Sequence, residues 1–172
     1  ADMGRVERSS SETGGDVCHG LVEVGVGSDD TGNEVVRMQG SGTFGIESVS
    51  GSTVATDGKL LVIINGSYGH RIAKIARVLK IDIATLEYAT NELPVPVDVD
   101  RVLTEDAAIT GVAIVHCETT TGIINPIEDI GQVVEHHKKM YFVDSMSAFG
   151  AVPIEFEKCA IDFLVSSANK CI

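Results

Sequence analysis

A chain of 172 residues with 44% hydrophobic side chains can bury one core without disulfide staples. Its 25 acids against 13 Lys and Arg give a net charge of −12, which repels phosphate backbones and argues against a nucleic-acid binder or a polybasic membrane anchor. The 4 cysteines (18, 117, 159 and 171) show no zinc-ligand spacing, no apolar run reaches the ~18 residues of a membrane span, and Ala1–Gly15 has no signal-peptide core. A reducing, cytoplasmic setting is expected.

Residues 1–35 are rich in Gly, Ser and acids and carry little periodicity. The alternation in Leu21–Val26 could make one strand, but a flexible arm is the preferred reading. Gln39–Thr43 is a turn cluster that leads into a helix start over Phe44–Val49. Lys59–Asn65 is a continuous apolar run, expected as a buried parallel strand closed by Gly66. Tyr68 then falls in a loop before an amphipathic helix over Arg71–Lys80, with Ile72, Ile75, Ala76 and Leu79 on one face. A short strand over Asp82–Glu87, a loop over the two prolines of 93–97 and a helix over Asp98–Glu105 follow. Gly111–His116 reads as a buried strand, Ile127–Lys138 as a helix, and Met140–Val143 as a strand ending at Asp144. The last strand is expected over Ile161–Val165, ending at Ser166-Ser167.

Strands alternating with helices predict an α/β fold: three layers, α/β/α, around a mostly parallel sheet. Ligands of such sheets gather at the carboxyl ends of the strands. That rule selects Asn65-Gly66, His116–Gly122, Asp144-Ser145 and Ser166–Lys170.

The chemistry available there is specific but open. Gly40-Ser41-Gly42-Thr43 before a helix suits an anion cradle, and a plain N-cap by Ser41 or Thr43 explains it equally well. Asp144 at a strand end needs a cation to offset desolvation, or serves as a turn cap. Lys170 is either a solvated lysine or an amine beside a sheet-end pocket, fit for Schiff-base chemistry. Tyr68 either lids the core or stacks on a planar ring. In His116–Gly122 a thiol nucleophile or a metal finds no supporting spacing, so hydroxyls lining a ligand are preferred. The adjacent His136 and His137 point apart and are expected on the surface, so no metal is assigned.

The strings MQGSGTF (38–44), INGSYGHRIAKI (64–75), HCETTTGIINPI (116–127), VDSMSAFGAVPIE (143–155) and DFLVSSANKCI (162–172) together resemble fold-type I, class V pyridoxal-phosphate aminotransferases. The HCETTTGI and SSANKC strings resemble the branch that moves the amino group of 2-aminoethylphosphonate to pyruvate. Alanine–glyoxylate and serine–pyruvate aminotransferases are the alternative within the class. The resemblance implies pyridoxal 5′-phosphate as cofactor, small-molecule substrates and a homodimer. It implies that Lys170 joins the cofactor and moves the substrate proton, and that Asp144 pairs with the pyridine nitrogen. Tyr68 would stack on the ring, Ser41, Gly42 and Thr43 would form the phosphate cup, Thr119 would sit beside the 3′-oxygen, and Ser167 and Asn169 would lie near the phosphate or the lysine. The Pro-Gly-Pro loop and long helix that open the family are absent from residues 1–35, and the chain stops two residues past Lys170. The expected organisation is an atypical segment over 1–35 and an incomplete large, cofactor-binding domain over 36–172. A non-enzymatic fragment is therefore the competing functional reading.

Overall fold

The computed structural model describes residues 21–26 and 34–170; the expectations for 1–20 and 27–33, and for the end of the chain past Lys170, lie outside the described residues. A seven-stranded sheet forms the middle layer, in the order β2-β1-β9-β8-β5-β3-β4. Its strands are β1 (Leu21–Val26), β2 (Glu34–Gln39), β3 (Lys59–Ile64), β4 (Asp82–Glu87), β5 (Ile109–Val115), β8 (Met140–Asp144) and β9 (Phe163–Ser167). Two short strands, β6 (Cys117-Glu118) and β7 (Ile123-Ile124), form a separate hairpin just beyond β5. The run β4-β3-β5-β8-β9 is parallel, and β1 joins both β9 and β2 antiparallel.

Five helices cover the sheet: α1 (Gly42–Thr53), α2 (Ser67–Val78), α3 (Pro96–Glu105), α4 (Ile127–His136) and the short α5 (Phe156–Cys159). Successive strand residues point to opposite faces, and each face has its own core. Leu60, Val62, Ile64, Ala113, Val115, Phe142 and Val165 pack with Ile46 and Val49 of α1 and Ile72, Ala73 and Ala76 of α2. Leu61, Ile63, Val112, Ile114, Tyr141, Val143 and Leu164 pack with α3, α4 and Cys159 of α5. Both faces are covered, which is why the central strands are apolar without interruption rather than alternating.

The departures from the sequence reading are local. Leu21–Val26 is a strand of the sheet rather than an unstructured arm, and β2 was not anticipated at all; the two support each other as an antiparallel pair. α2 begins at Ser67, so Tyr68 lies in the first helical turn and not in a loop. α3 begins at Pro96, because a proline at the first helical position gives up an N–H that has no intrahelical partner there. α4 ends at His136, and Lys138 takes a left-handed φ of 53° beyond it. β9 starts two residues later than expected and runs through Ser167.

Candidate active site

The carboxyl ends of β3, β5, β8 and β9 lie at one edge of the sheet. Register brings them together: Val115 stands opposite Asp144, and Asp144 opposite Val165. Backbone bonds continue the ladder past the strands, with His116 N donating to Asp144 O at 2.8 Å and Ser145 N to Val165 O at 2.9 Å.

Asp144 is 2% exposed and takes the N–H of Met146 on Oδ1 at 3.1 Å. Burial pushes its carboxyl from 3.8 up to about 7; that backbone bond opposes the rise, the charge of Glu118 adds to it, and Arg71 opposes it. Asp144 joins no ion pair among the described residues. A buried carboxylate held this way is matched to a protonated ring nitrogen or another cationic N–H donor. The local bond to Met146 also makes it a turn cap, the second of the two sequence readings of Asp144.

His116 is buried, its Nδ1 lies 3.0 Å from Ser145 Oγ, and desolvation lowers its pKa from the ordinary imidazole value. His137 pairs with Asp100 at 2.7 Å on the surface, and His136 is exposed. Among the described residues no group of three or more His, Cys, Asp or Glu gathers as metal ligands.

The amino end of α1 faces the same edge. Ser41 is its N-cap, with Oγ accepting from Phe44 N at 3.4 Å. The N–H groups of Gly42 and Thr43 lead the helix, where no intrahelical carbonyl can take them. Gly42 is buried against the loop that follows Asp144: a Cβ there would stand 1.8 Å from Met146 Sδ, so any larger residue would require the Met146 side chain to move. The donor set of Ser41, Gly42 and Thr43 at a helix start suits a dianion.

Tyr68 is half-buried, and the Arg71 guanidinium carbon lies 4.7 Å from its ring centroid. Thr119 Oγ1 lies 2.6 Å from Ser147 Oγ, tying the β6–β7 hairpin to the loop after Asp144. Ser167 is buried at the end of β9 and bonds Asn169 Oδ1 at 2.5 Å. The chain then turns, with Lys170 N donating to Ser167 O at 3.2 Å and the Lys170 side chain exposed. The expected residues thus lie at the ends of β8 and β9, in the β6–β7 hairpin beyond β5, and at the starts of α1 and α2.

Further side chains hold these pieces together; Asn65 and Glu118 lie in stretches that the strand-end rule selected, whereas Asn125 was not singled out. Asn65 and Asn125 exchange amide hydrogen bonds of 2.7 and 3.1 Å in a buried pair. Asn125 also donates to Val115 O at 2.8 Å and Asn65 to Glu92 O at 3.1 Å, so the pair joins the loops beyond β3, β4, β5 and β7. Glu118 is buried and accepts from Tyr68 N. The signal in the sequence was indirect: polar residues directly following apolar strands.

A family model described as aminotransferase class-V matches residues 29–172, and the chain belongs to that family. A curated 2-aminoethylphosphonate–pyruvate transaminase of Pseudomonas putida is 43% identical over 171 residues, 99% of this chain and 46% of that protein. The chain therefore spans about half the length of the curated relatives it matches, and the aligned span takes in nearly all of residues 1–35. Among solved structures, a pyridoxamine–pyruvate aminotransferase from Mesorhizobium loti superposes with a TM-score of 0.72 at 27% identity, over 88% of this chain and 35% of the other. An alanine–glyoxylate aminotransferase from a Nostoc species gives 0.69 at 25% identity, over 73% and 33%. The fold is accordingly the mostly parallel, three-layer large-domain architecture of the fold-type I aminotransferases, present in part. No helix among the described residues is long and apolar enough to cross a membrane.

Proposed function

We propose that the protein carrying residues 1–172 is a pyridoxal-phosphate aminotransferase that moves the amino group of 2-aminoethylphosphonate to pyruvate, giving phosphonoacetaldehyde and alanine. The observation that carries this reading is Asp144: a carboxylate 2% exposed at a strand end, outside any ion pair among the described residues. Burying such a charge is unfavourable unless a cationic N–H donor meets it. The names and identity of the curated relatives support the choice of phosphonate substrate.

In this reading Asp144 accepts from the ring nitrogen and keeps it protonated. The bound cofactor would supply an electron sink for the bond electrons released at the substrate Cα. Lys170 holds the cofactor and carries the Cα proton. Ser41, Gly42 and Thr43 take the phosphate with helix N–H groups and hydroxyls, while Ser167 and Asn169 steady that side. Tyr68 offers a ring face, and Thr119 a hydroxyl for the 3′-oxygen. A homodimer in the cytoplasm completes the proposal.

The test is cofactor titration followed by borohydride fixation and peptide mapping. The pyridoxyl group is expected on Lys170. Label on Lys59, Lys74 or Lys80 instead would sink the assignment. The amino donor decides the substrate: 2-aminoethylphosphonate, rather than serine, should bleach the bound cofactor's absorption band.

A further inference from the structure

α2 begins without a local cap. Its N-cap residue is Gly66, which has no side chain to accept the open N–H groups of the first turn. The acceptor comes instead from 50 residues away. Glu118 is fully buried, and its carboxylate takes the Tyr68 N–H at 3.2 Å through Oε2 and 3.4 Å through Oε1. Thr120 Oγ1 donates to the same carboxylate at 2.9 Å. The base of the side chain is fixed too, since Glu118 O accepts from Thr121 N at 3.1 Å and Gly122 N at 2.8 Å.

Gly66 makes the approach possible. A Cβ at that position would fall 2.3 Å from Glu118 Cγ and 2.7 Å from Oε2. Its φ of 177° is extended backbone open to any residue. The glycine is therefore required by the neighbouring carboxylate and not by its own dihedrals.

We infer that Glu118 is a positioning residue: by closing the amino end of α2 from the β6–β7 hairpin, it fixes where the Tyr68 ring stands at the mouth of the site. The inference rests on the reading of Tyr68 as the stacking ring. The same contact locks the hairpin that carries Thr119 to the helix that carries Tyr68, so two proposed cofactor contacts move as one.

The experiment uses Glu118→Gln, Glu118→Ala, Gly66→Ala and the double variant Gly66→Ala/Glu118→Ala in the protein carrying residues 1–172. Three readouts are taken: hydrogen exchange at the Tyr68 amide, the ring resonances of selectively labelled tyrosine, and the affinity and induced circular dichroism of added pyridoxal phosphate. Glu118→Gln keeps a side-chain oxygen for the Tyr68 N–H and should stay near the parent in all three. Glu118→Ala should lose about tenfold in amide protection and cofactor affinity, in line with removal of a helix cap. Gly66→Ala should resemble Glu118→Ala, because the new Cβ displaces the carboxylate. The double variant should be no worse than either single one, because the clash and the cap vanish together.

Unchanged Tyr68 protection in Glu118→Ala would overturn the inference. So would a loosened Tyr68 amide with unaltered cofactor affinity and dichroism, since Glu118 would then be a helix cap and nothing more. Should the parent protein bind no pyridoxal phosphate, the cofactor reading fails by itself. The Tyr68 amide and ring signals then decide: loosening in Glu118→Ala with recovery in Glu118→Gln upholds the positioning, and no change refutes it. If Glu118→Ala does not fold, Glu118→Asp, one methylene shorter, takes its place.

Discussion

At the scale of single residues the site is governed by burial. Asp144 sits where apolar β8 ends, and desolvation raises its carboxyl to about 7. A carboxyl whose folded pKa lies above its unfolded value favours the folded state below the unfolded pKa, and that contribution is lost as pH rises through the folded pKa. The window for Asp144 runs from about 3.8 to about 7. At about 1.36 kcal/mol per pKa unit, the loss across it is on the order of 4 kcal/mol. Denaturant unfolding of the cofactor-free protein should therefore show stability falling between about pH 4 and pH 7, and Asp144→Asn should flatten that fall. Equal pH slopes in parent and variant would refute a buried, ionisation-resistant Asp144. The same variant should slow Cα deprotonation strongly, because a charge-assisted hydrogen bond of roughly 1.5–3 kcal/mol is lost together with the ring-nitrogen proton. Tyr68 is read through its ring face. With stacking worth about 0.5–1.5 kcal/mol, Tyr68→Phe should be mild and Tyr68→Ala should weaken cofactor retention. Equal losses in both, measured by equilibrium dialysis, would point to the hydroxyl.

At the scale of elements, strand ends do not hold their loops in place unaided. The Asn65–Asn125 pair joins loops from four strands through buried amides. Asn125→Leu removes both Asn65–Asn125 amide bonds and the bond to the Val115 carbonyl, leaving Asn65 only its bond to Glu92 O, at about 1–3 kcal/mol for each buried group left unsatisfied. Chemical denaturation should show that loss, and Asn65→Leu/Asn125→Leu should cost less than the sum of the single changes. Strict additivity would mean that the two amides act independently. The elements also explain what the sequence reading resolved. Lys59–Asn65, Gly111–His116 and Met140–Asp144 were legible because strands covered on both faces are apolar runs with sharp polar ends. The start of α2 was not legible, since its acceptor, Glu118, lies on another element. β2 was missed because Glu34–Gln39 mixes charged and apolar residues and becomes a strand only by pairing with β1.

At the scale of the whole molecule, the chain brings Lys170, the buried Asp144 and the capped start of α1 to one sheet edge, and it spans 46% of the length of a curated relative. Residues 1–172 alone are expected to bind cofactor weakly and to form no alanine from pyruvate and 2-aminoethylphosphonate. Leu93, Val95 and Val97 expose 52%, 43% and 68% of their surface, and apolar area left uncovered forgoes about 25 cal/mol per Å². Against a total stability of about 5–15 kcal/mol, association of the isolated chain is expected, read by sedimentation beside a coupled alanine assay. Sustained turnover by residues 1–172 would overturn this and make His70 or Arg71 the acid-binding cation to examine.

The sequence by itself determined the layers, the order of most strands and helices along the chain, and the strand ends where polar residues gather. These follow from local periodicity and from the high cost of ending an apolar strand on Asp144 without a partner. Only the tertiary structure decided which ends are neighbours. The sheet order sets β9 beside β8 and β8 beside β5, so Ser167, Asp144 and His116 stand at one edge. It also decided that Glu118 caps α2 over Gly66 and that Asn65 meets Asn125. Hydrogen bonds between residues 50 and 60 positions apart leave no periodic trace in a sequence, because only the closed fold brings donor and acceptor within reach.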